Sequence, residues 1–242
     1  MTLAESTVSN AIRYSMRKNC FANIIIAGPI GAGKKRLSHL IAECSDVYSL
    51  ESNVTIFNQE DYYKEYDELE DTYFGVKNID SESAFDTKKF IRDVRTFYEN
   101  GHVSVPTYSP KKWALSWNRE NLEENKTACI IENKNVKRIN IFIGTHAIEL
   151  LSSGIHNVKK FREDKNINFG RIVPYVIPEA IYIYLNTNHE RCMERRERMK
   201  LMYPKSFIDV TLYKEYSSFI EKIVEAEIMP QMQLADIVIN CN

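Results

Sequence analysis

Apolar residues in this chain gather into short unbroken runs, separated by longer stretches in which they recur every three or four positions. Phe21 to Ala27, apolar except at Asn23, predicts a strand buried on both faces, and Leu37, Leu40 and Ile41 continue at helical spacing. Asn53 to Phe57 predicts a second strand. Ala84 to Tyr98 predicts a helix turning Phe85, Phe90, Ile91, Val94 and Phe97 inward, with Gly101 as its stop. His102 to Val105 alternates like a short strand before Pro106, and Cys129 to Ile131 and Ile139 to Ile143 predict two more strands around a polar run. Ile181 to Leu185 is a further buried strand, followed by an arginine-rich helix. Ile223 to Ile228 finishes a long helix, and Ala235 to Ile239 supplies a closing strand.

Strands alternating with helices predict an α/β fold, a three-layer sandwich whose central parallel sheet carries helices on both faces. Ligands in such folds sit at the carboxyl ends of the strands. That rule draws attention to the end of the first strand, where Gly28-Pro29-Ile30-Gly31-Ala32-Gly33-Lys34-Lys35 leads into a helix. The pattern matches a phosphate-binding loop, in which glycines let backbone N–H groups close around an anion and a lysine reaches the outer phosphates. Gly28, Gly31, Ala32, Gly33, Lys34 and Lys35 are the candidate nucleotide-binding residues. Lys35 stands where the pattern asks for a hydroxyl that ligates magnesium, so metal binding is weakened more than phosphate binding.

Just after the second strand, Glu60 and Asp61 place two acids where a hydroxyl proton could be taken during transfer to an alcohol. Arg191, Arg195, Arg196 and Arg198 follow the late strand at helical spacing. They suit charge neutralisation on a moving phosphoryl group, while Glu190, Glu194 and Glu197 offer them the plainer role of salt-bridge partners on a solvated face.

Composition narrows the classes further. At 242 residues, 44% apolar and 27% charged, the chain has the size of one well-buried domain with a mobile appendage. A formal charge of −1 gives no general attraction to nucleic acid or to an anionic membrane. Five scattered cysteines with no C-x-x-C pair argue against a disulfide framework or a zinc site, which suits a reducing, cytoplasmic setting. No apolar run reaches the length of a membrane span, and residues 1–20 read as a lead-in helix more than as a transit peptide. Residues 113–137, dense in Asn, Glu and Lys, read as a solvated excursion or hairpin.

Glu60-Asp61-Tyr62-Tyr63-Lys64, Ile79-Asp80, Ala84-Phe85-Asp86, Val105-Pro106-Thr107-Tyr108, Met229-Pro230 and Ala235-Asp236-Ile237-Val238-Ile239 follow in an order that resembles the uridine-cytidine kinases. The related nicotinamide riboside kinases are similar in the early acidic motif and around Tyr184 to Pro204. The resemblance runs from about residue 22 to residue 240. It implies a single phosphate-loop kinase domain using ATP and Mg²⁺, with a small-molecule nucleoside as partner and a homo-oligomer within the family's habit. By position it implies a catalytic carboxylate at Glu60 with Asp61 beside it, and Lys34, Arg195 and Arg196 as further catalytic groups. A lid at about residues 195–207 carries the arginines. Asp80 becomes the ribose contact, Tyr63 a site-lining aromatic and Tyr108 the base-stacking tyrosine. Packing of Tyr63 and Tyr108 in a tyrosine-rich chain is the competing reading.

Departures from the family are specific. Its magnesium-placing Glu-Gly falls on Ile143-Gly144, its base-reading histidine near Trp113 and its late-helix glutamine near Glu215. Thr145 and His146 lie just beyond the lost glutamate. The metal ligands are therefore undefined, and a nucleotide-binding protein with a decayed metal site stands as the rival to an active kinase.

Overall fold

The computed structural model describes residues 3–19, 21–47, 53–74, 77–107, 127–132, 138–152, 175–198 and 210–241. In chain order these form α1 (Leu3–Asn19), β1 (Phe21–Ala27), α2 (Lys34–Val47), β2 (Asn53–Asn58), α3 (Thr87–Asn100), β3 (His102–Thr107), β4 (Thr127–Glu132), β5 (Arg138–Gly144), α4 (Ala147–Leu151), β6 (Ala180–Thr187), α5 (His189–Arg198), α6 (Val210–Ile223) and β7 (Ile237–Cys241). Five strands make the central sheet in the order β2-β5-β1-β6-β7, each neighbour parallel to the next. β1 lies in the middle, so the loop after it opens at the centre of the sheet's carboxyl edge.

The two faces of β1 feed two cores. Ile24 and Ile26 point to one side and meet Val8, Ile12 and Met16, a four-residue spacing that gives α1 a single apolar stripe. Ile25 and Ala27 point to the other, toward Phe57, Phe142, Phe90, Val94 and Phe97. The Phe57 ring stacks on Phe142 with centroids 5.2 Å apart and meets Phe97 edge-on at 5.0 Å, joining β2, β5 and α3. Asn23, the polar interruption of β1, is fully buried and satisfied: Tyr98 Oη donates to its Oδ1 at 2.7 Å, and its own amide donates to the Pro178 carbonyl at 2.9 Å.

Several boundaries differ from the pattern-based expectation. The third helix begins at Thr87, three residues late, because Asp86 accepts a hydrogen bond from the Lys89 N–H and acts as its cap; Gly101 closes it in the left-handed conformation (φ 74°). Leu40, expected on the buried stripe of α2, is exposed, while Ile41 faces the core. β3 and β4 pair antiparallel as a separate hairpin rather than joining the main sheet. After α6 the chain widens into a π-helical turn at Val224–Ile228, tightens at Met229–Leu234, and enters the closing strand at Ile237. Among the described residues, no helix is long and apolar enough to cross a membrane.

Candidate active site

The loop between β1 and α2 has the conformation that its glycines permit. Gly28, Gly31 and Gly33 have φ of 150°, 87° and 103°, values that side chains with a Cβ rarely adopt. Gly31 is also needed for space, since a Cβ there would lie 2.7 Å from the carbonyl oxygen of Cys192 on α5. Glycine here brings the loop and α5 into contact.

Lys34 opens α2 and folds back into the loop. Its Nζ donates to the carbonyls of Gly28 at 2.9 Å and Pro29 at 3.0 Å, and the side chain is buried. Burial pushes its pKa below the ordinary lysine range, and the nearby Glu60 carboxylate is the largest opposing influence. Arg195 closes over the same loop, one Nη donating to the carbonyls of Gly31 at 2.8 Å and Ala32 at 3.2 Å. Both cations are thus held by backbone oxygens of the loop that would receive phosphate. An anion entering the nest competes with these contacts and draws the cations toward itself.

Glu60 and Asp61 lie in a one-turn 3₁₀ segment at the carboxyl end of β2, started by Asn58, whose side chain accepts from the Glu60 N–H. The preceding Gln59 is fully buried across the end of β5. Its Oε1 accepts from the His146 N–H at 2.9 Å, and a Cβ on Gly144 would lie 2.3 Å from that oxygen. The glycine of the Ile143-Gly144 pair is therefore the seat for Gln59, which locks the acidic turn to the strand beside it.

Asp80 and Arg196 were expected as a ribose contact and a transition-state arginine; the structure joins them to each other. Arg196 donates from Nη2 to Asp80 Oδ1, with both side chains buried. Burial is the largest single influence and works against the arginine's charge, but Asp80 together with Tyr216, Tyr63 and Cys192 holds the guanidinium above its ordinary range. His146 Nε2 lies 3.1 Å from the Asp80 carbonyl, and burial pushes the adjoining Tyr216 hydroxyl up to about 12.

Tyr63 is buried: its ring stacks on Phe85 at 4.4 Å, and its hydroxyl donates to the Ile79 carbonyl. Tyr108, Trp113 and residues 199–207 of the expected lid lie outside the described residues. Within residues 113–137, Thr127–Glu132 is the strand β4.

Sequence reasoning missed a cavity of about 260 Å³ beside the loop, where α5, α6 and the π-helical turn converge. Pro29, Ile30, Met193, Arg196, Val224 and Glu225 are among its lining residues. The hint in the sequence was the apolar spacing of Ile220 and Val224, which reads equally as ordinary helix packing.

The loop fits the phosphates of ATP, with its positive-φ glycines and a lysine and an arginine converging on it. Protein-ligated Mg²⁺ does not fit the residues described. Lys35 is exposed at the hydroxyl position, Ile143 is buried in the sheet, and no three His, Cys, Asp or Glu residues gather into a metal-holding group among the described residues. Thr145 Oγ1 is a buried hydroxyl without a hydrogen-bond partner there, but it is a single neutral oxygen.

No family model matches the chain, and no curated protein matches it in sequence. Solved structures do match across nearly all of it. A D-glycerate 3-kinase from Cryptococcus neoformans var. grubii aligns at a TM-score of 0.56 with 8% identity, covering 99% of this chain and 96% of that one. A candidate fructose transport system kinase from Silicibacter sp. TM1040 gives 0.54 and 12%, covering 99% of both chains. A possible uridine kinase from Bacillus stearothermophilus gives 0.50 and 10%, covering 96% and 98%. At these identities the likeness shows a shared fold: the central parallel sheet with helices on both sides found in phosphate-loop kinases.

Proposed function

We propose that this protein is an ATP-dependent kinase that phosphorylates a small-molecule alcohol, with the 5′-hydroxyl of a ribonucleoside as the acceptor. The observation that carries this reading is the closing of Lys34 and Arg195 over a glycine nest at the carboxyl edge of the sheet, with Glu60 on the turn that follows β2 at the same edge. Names of the solved structures with this fold support a phosphotransferase but differ in acceptor, from a sugar acid to a nucleoside. The uridine or cytidine preference rests on the sequence resemblance.

Each residue has a definite task in this reading. Gly28 to Gly33 bind the phosphates through backbone N–H groups, and Lys34 exchanges its carbonyl contacts for phosphate oxygens. When bound, ATP supplies the γ-phosphoryl group. Its bond to the β-phosphate oxygen breaks with the electron pair leaving on ADP, as the acceptor oxygen forms the new P–O bond. Glu60, backed by Asp61, takes the acceptor's hydroxyl proton. Arg195 stays over the nest and offsets charge on the transferred oxygens. Arg196 with Asp80 holds α5 against the acceptor side.

Pure protein incubated with ATP and a panel of uridine, cytidine, nicotinamide riboside and D-glycerate tests the reading. A new monophosphate that disappears in Lys34→Ala supports it and names the acceptor, whereas turnover retained by that variant sinks it. The second reading, a nucleotide-binding protein without transfer activity, is favoured by Lys35 and Ile143. Stabilisation by ATP with no product from any acceptor, with and without Mg²⁺, would establish it.

A further inference from the structure

One peptide unit, between Thr145 and His146, has both of its polar ends taken by glutamine side chains. Its N–H donates to Gln59 Oε1 at 2.9 Å, and its carbonyl accepts from Gln231 Nε2 at 2.8 Å. A trans peptide is a rigid plane whose C=O and N–H point in opposite directions, so this plane acts as a strut between the two side chains. Both glutamines are fully buried, where hydrogen bonds in series reinforce one another.

The two ends of the strut are not held equally. Gln231 Oε1 accepts from the Glu149 N–H at 3.1 Å, and its Nε2 also reaches the Ile228 carbonyl at 3.3 Å. Turning this amide over would set oxygen against carbonyls and N–H against N–H, so its orientation is fixed. Glu149 lies in the first turn of α4, whose N-cap His146 makes no side-chain cap bond, and Gln231 supplies that acceptor from outside the helix. Gln231 itself stands on the tightened turn Met229–Leu234, directly after a π-helical turn rooted in the core by the fully buried Ile228. At the other end Gln59 has little hold of its own. Its Nε2 has no hydrogen-bond partner among the described residues, so its amide is fixed by the His146 N–H and by contact with Gly144. Gln59 opens the 3₁₀ turn whose next residue is Glu60.

We propose that Gln231 is a positioning residue for the acidic turn: through the Thr145-His146 peptide and Gln59 it sets where Glu60 stands at the carboxyl edge, although its own hydrogen bonds go to Thr145, Ile228 and Glu149. The mechanical link stands on the geometry alone; its effect on transfer rests on the kinase reading, in which Glu60 takes the acceptor's proton. Neither amide is charged, so the strut transmits position and not charge. Lys34 and Arg195 hold the nest by separate contacts. Loss of the strut therefore slows transfer without weakening ATP.

Residue-resolved amide exchange and steady-state turnover on Gln231→Met, Gln59→Met and the double variant test this. Methionine keeps much of the volume and removes the hydrogen bonds. In Gln231→Met, exchange at the His146 and Glu60 amides should rise at least tenfold relative to Ile25, which sits in the central strand and reports global opening. Turnover should fall by about 10- to 100-fold, with the KM for ATP within twofold of wild type. The double variant should lose no more than about twice what either single variant loses, because all three break one chain. Gln231→Asn, still polar but one methylene too short to span Thr145 and Glu149, should repeat the pattern and serves where the methionine variant does not fold. Exchange at Glu60 within twofold of wild type, an unchanged turnover number, or losses that multiply in the double variant would each overturn the proposal. Absence of product from wild-type protein with every acceptor of the panel removes the kinase reading instead, and the exchange pattern then decides the strut by itself.

Discussion

The phosphate loop and the cavity wall are adjacent, yet they are specified by different means. The loop is backbone chemistry written in eight consecutive residues, and each glycine answers to a particular φ or to one close approach. The wall is side-chain chemistry drawn from β6, α5, α6 and the turn after it, which are far apart in sequence. Arg196 belongs to both regions, since it lines the cavity and is fixed by Asp80. A site coded by backbone conformation leaves a local signature. A site coded by convergence leaves none until the fold is known.

Breaking the link between the two regions should have the largest effect. Asp80→Asn leaves a buried guanidinium facing a neutral amide, and urea unfolding should report a loss of about 3–5 kcal/mol. Adding Arg196→Met to that variant removes the stranded charge and should restore much of the stability. Failure to recover would mean that Asp80 serves α5 through something other than this ion pair.

Lys34→Ala separates the regions by function. It removes a cation from the nest alone, so ATP-dependent transfer should fall by about 10²- to 10³-fold, or about 3–4 kcal/mol of transition-state stabilisation. The Asp80–Arg196 pair should be undisturbed, so Asp80→Asn should cost the same stability in the Lys34→Ala background as in the wild type. Unequal costs would show that nest and cavity wall form one cooperative unit.

Two glycines with similar backbone angles sharpen the claim about the loop. Gly31 and Gly101 have φ of 87° and 74°, but an added Cβ at Gly101 meets nothing within 4 Å, whereas at Gly31 it meets the Cys192 carbonyl. Both alanine variants should lose about 1–2 kcal/mol to the left-handed backbone. Gly31→Ala should lose about 1–3 kcal/mol more to overlap and weaken ATP binding, which Gly101→Ala should leave unchanged. Equal losses would mean that the loop and α5 separate at little cost.

Much of the fold was legible because the buried strands are apolar runs and the helices carry stripes: β1, β5 and β6 stand close to where their isoleucines put them, and Gly101 stops its helix. The hairpin's separation from the sheet was not legible, since two β-prone segments do not reveal which strands they will pair with. Nor was the burial of Tyr63, whose sequence neighbours are identical whether it lines a site or stacks on Phe85. The acidic turn was visible at Glu60 and Asp61, but not its anchoring, because Gln59 and Gly144 meet only across neighbouring strands. Lys34 was legible as the lysine that closes the glycine loop; its capture by its own loop carbonyls depends on backbone geometry.

That capture gives the smallest expected effect, and one with a sign to check. Burial lowers the Lys34 pKa from the ordinary 10.5, with Glu60 only partly opposing it. Phosphate binds the charged form, so ATP affinity should fall as pH rises through the lowered pKa, by at most about tenfold per unit. The fall should begin on the acid side of 10.5. Ligand-free stability should move the other way. Between the lowered pKa and 10.5 the unfolded chain holds a proton at Lys34 that the folded chain has released, so this residue's contribution to stability rises with pH across that window. Titrating ATP and urea over the same alkaline range, with Lys34→Ala as the baseline, tests both slopes together; parallel slopes would mean that the loop carbonyls hold a lysine whose charge burial does not disfavour.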